Sequence, residues 1–141
     1  FNVIKKEYIY KINIGEYNVF DRNYIYQYNK KLDVKKMKKA SKILIGTHNF
    51  KSFTKTDIKE KDYVRTIYNI KFELKNNILE ITFIGNGFLR YMVRNLVGTL
   101  IEVGSDKKEI DQVKEILLSE NREKAGITAP PEGLYLKNVK Y

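Results

Sequence analysis

Residues 78–103 read ILEITFI, then GNG, then FLRYMVRNLVGTLIEV. The first seven residues alternate in a way that predicts a β-strand with one buried face. Gly85-Asn86-Gly87 favours a sharp turn, because glycine tolerates backbone conformations that other residues avoid. The residues after this turn have helical periodicity, and Gly104 is a typical residue to end a helix. The buried strand face would be formed by Leu79, Ile81 and Phe83.

Arg94 lies off the main apolar face of this predicted helix. At about 100° per residue it falls in a second, half-apolar stripe with Arg90, Val97 and Ile101. A helix with two apolar sides is expected to be covered on both. Two interpretations of Arg94 remain open. Its stem could pack on the surface while its head reaches water, or the guanidinium could be presented to a carboxylate or phosphate in a pocket.

Other segments alternate like strands or carry helix signals. Asn76-Asn77 favours a turn that pairs the strand 63–75 with the strand 78–84. Asp33 is a plausible N-cap for a helix over 34–45, whose outer lysines form either a solvated face or a phosphate contact. Asp106 and Glu109 fit a capping pattern for a further helix. The remaining predicted strands are 4–14, 23–28 and 134–141. The predicted inner face of strand 63–75 is Val64, Thr66, Tyr68, Ile70, Phe72 and Leu74.

These elements predict one domain over residues 1–141. About five strands and three helices, with a tight hairpin, indicate an α+β fold with a largely antiparallel mixed sheet and helices on one face. Residues 47–61 are predicted to be a loop with apolar anchors at Phe50 and Phe53. The chain starts Phe-Asn-Val without Met or a signal-peptide pattern. We therefore expect it to be part of a longer protein.

Composition favours an anionic partner. Lys plus Arg number 27 and Asp plus Glu number 17, which gives a formal net charge of +10. Nucleic acid is the commonest partner of a basic, aromatic-rich domain, and a lysine-rich solvated surface is the alternative. The absence of cysteine excludes disulfides and thiolate metal sites, and the single His48 excludes a histidine-cluster metal site. No apolar run approaches the ~20 residues that span a membrane.

Four ordered motifs resemble the tRNA pseudouridine synthase A family, and together they span nearly the whole chain. One departure is Asn49, where the family usually has aspartate. It puts a carboxylate role at this position in doubt. The motifs are Gly85-Asn86-Gly87-Phe88-Leu89-Arg90-Tyr91-Met92-Val93-Arg94-Asn95-Leu96-Val97-Gly98, Lys6-Glu7-Tyr8-Ile9-Tyr10, Gly46-Thr47-His48-Asn49-Phe50 with Ser52-Phe53, and Ala125-Gly126-Ile127-Thr128-Ala129-Pro130 with Gly133-Leu134-Tyr135-Leu136.

The resemblance implies the C-terminal half of the pseudouridine synthase fold, in which two halves place their sheets side by side around a catalytic cleft. It implies isomerisation of uridine to pseudouridine in the anticodon stem-loop of tRNA, at one or more of uridines 38, 39 and 40. It also implies a cytoplasmic homodimer that uses no metal and no other cofactor.

The resemblance also assigns residues. Tyr8 matches the family's active-site tyrosine, although on pattern alone a strand tyrosine is a core or rim residue; Tyr10 is expected to be structural. Arg94 matches the arginine that pairs with the catalytic aspartate. Phe88, Leu89 and Met92 would build the wall of the pocket. RNA contacts at Lys51, Lys55 and Arg90 are expected from their placement near the site, and not from the resemblance. The polar, basic loop predicts a further contact at His48, for which a structural hydrogen-bonding role is the alternative.

The family's catalytic aspartate lies in a Gly-Arg-Thr-Asp context that this chain lacks. We therefore expect the chain to carry half an active site and to be inactive alone. The stripe of Arg94, Val97 and Ile101 would then face the missing half. The competing hypotheses are a non-catalytic basic RNA-binding α+β module, and a dimerisation domain with incidental basic charge.

Overall fold

The computed structural model describes residues 5–55 and 59–140, and its centre is a mixed six-stranded sheet. The strand order is β2-β1-β5-β4-β3, and β6 pairs with β1 on the same side as β2. The β1–β2 pair is parallel, whereas β1 and β5, β1 and β6, β3 and β4, and β4 and β5 are antiparallel. The predicted α+β class is confirmed. The strands are β1 (Lys5–Asn13), β2 (Tyr26–Gln27), β3 (Gly46–Asn49), β4 (Val64–Lys75), β5 (Ile78–Gly85) and β6 (Leu134–Lys140).

Three helices pack against one face of the sheet: α1 (Val34–Leu44), α2 (Met92–Gly104) and α3 (Ile110–Ser119). Asp33 caps α1 as predicted, its carboxylate accepting from the backbone N–H of Lys36 at 3.1 Å. Glu109 and Gln112 form a capping box at α3. Asp106 does not cap α3, because it takes a left-handed conformation, φ 65°, in the preceding connection.

The core lies between the sheet and the helices. The predicted inner face of β5 is confirmed, since Leu79, Ile81 and Phe83 are fully buried, and Tyr10 and Ile12 of β1 are fully buried beside it. The predicted face of β4 is wrong in its first half. A β-bulge between Ile67 and Asn69 adds one residue to β4 relative to β5. The alternation therefore shifts there, which buries Ile67 and exposes Tyr68.

Two segments differ from the predicted loop and strand boundaries. Residues 46–49 form β3 and pair with residues 64–67 at the start of β4, although the sequence predicts 47–49 to be part of the loop 47–61. The neighbouring long strand offers free backbone groups that no apolar alternation reveals. The apolar anchors Phe50 and Phe53 are fully buried as predicted. Residues 56–58 of this loop lie outside the described residues. The strand predicted over 23–28 is reduced to Tyr26–Gln27.

Candidate active site

A cleft with a volume of about 320 Å³ opens at the start of α2. It lies between β1 and the turn that leads into β6. The structure brings Tyr8 and Arg94 together with the three predicted wall residues and Arg90. Tyr91, Val93, Pro131 and Leu134 also line this site and were not predicted from the sequence. The lining residues are Tyr8, Phe88, Leu89, Arg90, Tyr91, Met92, Val93, Arg94, Pro131 and Leu134.

The turn between β5 and α2 is hydrogen-bonded to β4 through Asn86, and it enters the helix at Tyr91. Asn86 exchanges two hydrogen bonds with Thr66, since its backbone N–H donates to the carbonyl at 3.0 Å and its side-chain oxygen accepts from the N–H at 2.9 Å. The helix was predicted to begin directly after the glycines, but it begins at Met92. Tyr91 takes a left-handed conformation, φ 65° and ψ 2°, that redirects the chain into α2.

Arg94 is half-buried, and its guanidinium forms part of the cleft wall. Its Nε donates to the carbonyl of Ala129 at 2.7 Å, and its Cζ lies 4.6 Å from the ring centroid of Tyr91. Within residues 5–55 and 59–140, neither Nη1 nor Nη2 makes a hydrogen bond or ion pair. This geometry favours the interpretation in which Arg94 is presented to an anion in a pocket.

Two aromatic rings in contact form part of the lining. Tyr8, on β1, contacts Phe88 edge-to-face with centroids 5.3 Å apart and planes at 86°. The two rings give the cleft an apolar surface on which a planar base could rest. Tyr10 is two residues along the same face and fully buried. Its hydroxyl donates to the carbonyl of Pro130, and burial raises its pKa above the ordinary tyrosine value. Tyr10 is therefore placed as a structural residue.

The second apolar stripe of α2 is covered within this chain. Val97 is fully buried and Ile101 is 7% exposed. The segment 125–130 crosses α2 so closely that a Cβ on Gly98 would lie 1.6 Å from the carbonyl oxygen of Ile127. The expectation that this stripe faces a missing half is therefore wrong for Val97 and Ile101, because helical periodicity shows that a face is buried and not which segment buries it. Arg94 is not covered in this way, since its Nη1 and Nη2 make no hydrogen bond with the described residues.

Comparisons with known proteins identify the family of this chain. Residues 40–141 match the family model described as tRNA pseudouridine synthase. The chain belongs to the tRNA pseudouridine synthase family.

Curated relatives include tRNA pseudouridine synthase A of Geobacillus sp. (strain WCH70), 47% identical over 144 residues that cover 100% of this chain and 57% of the relative. A tRNA pseudouridine synthase A 1 of Bacillus cereus is 46% identical over 142 residues, 100% of this chain and 58% of the relative. The tRNA pseudouridine synthase A 2 of Clostridium tetani is 47% identical over 142 residues, 100% and 57%. The chain thus spans less than two thirds of the length of these relatives.

A buried polar network is centred on Asn95, next to Arg94 on α2, and it was not predicted from the sequence. Asn95 is fully buried on α2. Its Nδ2 donates to the carbonyl of Phe53 at 2.7 Å, and its Oδ1 accepts from Thr128 Oγ1 at 2.6 Å and Arg122 Nη2 at 3.1 Å. Burial lowers the pKa of Arg122. An asparagine among the apolar residues of α2 was the signal, since buried amides are normally hydrogen-bonded.

The residues predicted to contact RNA occupy different places. His48 lies on β3, where its Nε2 is 3.0 Å from the carbonyl oxygen of Ile45 and its ring contacts Phe50, which favours the structural role. Lys51 and Lys55 line a second cleft of about 330 Å³. Lys55 Nζ also lies 5.6 Å from the centroid of the Tyr91 ring, so the two clefts adjoin there.

The two adjoining clefts carry several basic side chains in the described part of the chain. None of Lys51, Lys55, Arg90 and Arg94 forms an ion pair with a described carboxylate. No group of three or more His, Cys, Asp or Glu among the described residues is placed to hold a metal ion. Within the same residues, no helix has the length and apolar character needed to cross a membrane.

Proposed function

We propose that this chain supplies part of the active site of a tRNA pseudouridine synthase that isomerises uridine in the anticodon stem-loop. The observation that carries the proposal is the single cleft in which Tyr8, Arg94 and the aromatic wall meet. Membership of the family and the names of the relatives support it. Uridines 38, 39 and 40 are the proposed positions.

Each side chain has a role that its chemistry fits. The reaction breaks the glycosidic C–N bond, rotates the uracil within the site, and joins the ribose carbon to a ring carbon, whose proton is released as the ring nitrogen gains one. A carboxylate that attacks or anchors the base must stay ionised, and the two free Nη groups of Arg94 can pair with it side by side. Tyr8 and Phe88 would receive the base once it leaves its stack.

The carboxylate is proposed to come from outside the described cleft. None of the described lining residues is Asp or Glu. Asp57 lies in 56–58, outside the described residues, and has no Gly-Arg-Thr context. We infer that the nucleophilic aspartate belongs to the portion of the relatives that this chain does not match.

The proposed partner is tRNA, held partly by Arg90, Lys55 and Lys51, which run from the first cleft into the second. Their lack of ion pairs with described carboxylates leaves their charges available to phosphates. We propose that the protein works without metal or other cofactor, because the reaction is a rearrangement with no net oxidation or group transfer. We also propose that it is a cytoplasmic homodimer, as the family resemblance implies.

The test is pseudouridine formation on an unmodified tRNA transcript. The chain is assayed alone, and then mixed with a separately produced segment of the Geobacillus relative that covers the unmatched part. Activity in the mixture alone is expected. Activity of this chain by itself would place the nucleophile within it, and Asp57→Asn would then show whether Asp57 is responsible.

The same assay separates the enzyme from the alternative, a non-catalytic RNA-binding module. In an enzyme, Arg94→Ala removes turnover and largely keeps tRNA affinity. In a binding module the mixture has no activity, and Arg94→Ala weakens binding instead.

A further inference from the structure

We propose that Tyr91 is a positioning residue for Arg94: its ring fixes the plane of the guanidinium so that Nη1 and Nη2 point at the incoming carboxylate. The inference rests on the proposed function and goes beyond it. Tyr91 lines the cleft next to Arg94, and their contact is the closest of the described cation–ring contacts, with 4.6 Å from Cζ to the centroid.

The backbone conformation of Tyr91 indicates a functional role for this residue. A φ of 65° and ψ of 2° are costly for any residue with a bulky side chain, and glycine or asparagine would adopt them more readily. The side chain does not cap α2, and 37% of it is exposed. Neither helix capping nor full burial therefore explains a tyrosine here. Strained residues cluster at functional sites, where another requirement holds them.

The orientation of the Arg94 guanidinium needs a restraint beyond its hydrogen bond. The Nε–H···O bond to Ala129 restrains the guanidinium at one atom only. Rotation about that bond would swing both Nη groups away from the cleft. A ring against the flat guanidinium removes this freedom, because arginine stacks on aromatic faces. Arg94 then meets a carboxylate in a preorganised geometry.

Two further cations lie close to the Tyr91 ring. Lys55 Nζ lies 5.6 Å and Arg90 Cζ 5.9 Å from the same centroid. These two cations repel Arg94, and the described residues offer no paired carboxylate to offset the repulsion. The electron-rich ring attracts all three. Tyr91 thus keeps Arg94 in the cleft while the other two cations remain beside it for phosphates.

The test compares Tyr91→Gly with Tyr91→Phe in the tRNA assay of this chain with its complementing segment. Glycine removes the ring and accepts the left-handed backbone, so the fold is retained. We expect kcat to fall about tenfold or more with KM changed by less than about twofold, because the ring acts on a group used in the transition state. Phenylalanine should restore wild-type kcat.

Asp106→Gly is the matched control. Asp106 has the same φ of 65° but lies in the connection after α2, away from the cleft lining. It should leave both kinetic constants unchanged. In an Arg94→Lys background, Tyr91→Gly should have no further effect, because the group that it positions is gone. A rise in KM with unchanged kcat would overturn the proposal and assign Tyr91 to RNA binding.

A second measurement needs no activity. In NMR spectra of this chain, the Nε–Hε signal of Arg94, assigned with Arg94→Lys, should be shifted by the Tyr91 ring and protected from exchange with water. Tyr91→Gly should abolish the shift and speed exchange. A signal unchanged in Tyr91→Gly would overturn the inference even if the synthase is active. An inactive mixture with the expected NMR change would instead contradict the proposed function alone.

Discussion

Arg94 and Ala129 are joined by two hydrogen bonds that run in opposite directions. The backbone N–H of Ala129 donates to the carbonyl of Arg94 at 3.0 Å, and the side-chain Nε of Arg94 donates to the carbonyl of Ala129 at 2.7 Å. Ala129 is 1% exposed. The arginine of the cleft is thus also a structural clamp that holds the segment 125–130 against α2.

This double role predicts two effects of Arg94→Lys. Lysine keeps the charge but loses the planar fork and the Nε donor. Pseudouridine formation by the complemented protein should fall by about 100-fold or more. The free energy of unfolding should fall by about 1–2 kcal/mol, because the carbonyl of Ala129 loses its partner. Urea denaturation and the tRNA assay measure the two effects. The control is Arg90→Lys, at an exposed side chain that makes no hydrogen bond with the described residues, and it should leave stability unchanged. Full activity of Arg94→Lys would contradict the role assigned to Arg94.

Gly98→Ala should strongly destabilise the chain. A Cβ there would lie 1.6 Å from the Ile127 carbonyl oxygen, so helix and segment must separate. The overpacking should cost at least about 2 kcal/mol, because the obstructing atom belongs to the backbone and not to a flexible side chain. In the control Gly87→Ala, the nearest atoms of Arg65 are 3.8 Å away and φ lies outside the left-handed region. Equal urea midpoints for Gly98→Ala and Gly87→Ala would contradict the prediction, because the segment 125–130 would then move away from α2 at little cost in free energy.

The sequence predicted those features of the fold that depend on residues close together in the chain. The hairpin turn Asn76-Asn77 has φ values of 50° and 64°, as expected for asparagines in a tight turn between twisted strands. The Asp33 cap and the alternating face of β5 depend on neighbours within a few residues, so the sequence alone identifies them.

Long-range relationships were not predictable in this way. The bulge at Tyr68 depends on the register between β4 and β5. Strand β3 forms because the backbone groups of β4 are available to pair with it. The cover over Val97 comes from a segment about 30 residues further along the chain. In the site, the motif resemblance identified Tyr8 and Arg94, whereas Tyr91 and Asn95 emerged only from the contacts that they make.

Tyr10→Phe should reveal a stability component that depends on alkaline pH. The variant loses the hydrogen bond to Pro130, so at pH 8 its free energy of unfolding should be about 1–2 kcal/mol lower than that of the wild type. Burial raises the pKa of Tyr10 in the folded state. Above about pH 10 the unfolded chain releases this proton while the folded chain keeps it, and the wild type then loses up to about 1.4 kcal/mol per pH unit.

The phenylalanine variant lacks that loss. The stability difference between wild type and Tyr10→Phe should therefore shrink from pH 8 to pH 11 in urea denaturation. Tyr17→Phe, which alters an exposed ring, should match the wild type at pH 8. A difference that stays constant up to pH 11 would show that Tyr10 ionises as readily in the folded chain as in the unfolded one.

Lys55→Ala should weaken tRNA binding and reduce its dependence on salt. Lys55 joins the two clefts and forms no ion pair with a described carboxylate, so a phosphate bound there would release counterions. We expect a loss of about two- to fivefold in affinity at 0.1 M salt. The slope of log K against log salt should fall by about 0.7 to 1. Fluorescence anisotropy with a labelled anticodon stem-loop measures both quantities.

Lys39→Ala is the matched control, because it removes the same charge from an exposed position on α1. If the lysines of α1 form a solvated face, this variant should bind like the wild type. Equal losses in Lys39→Ala and Lys55→Ala would mean that the RNA responds to total charge and that no defined track leaves the cleft. A loss confined to Lys55→Ala would place the phosphate beside Tyr91, where the RNA strand must pass to bring a uridine to Arg94.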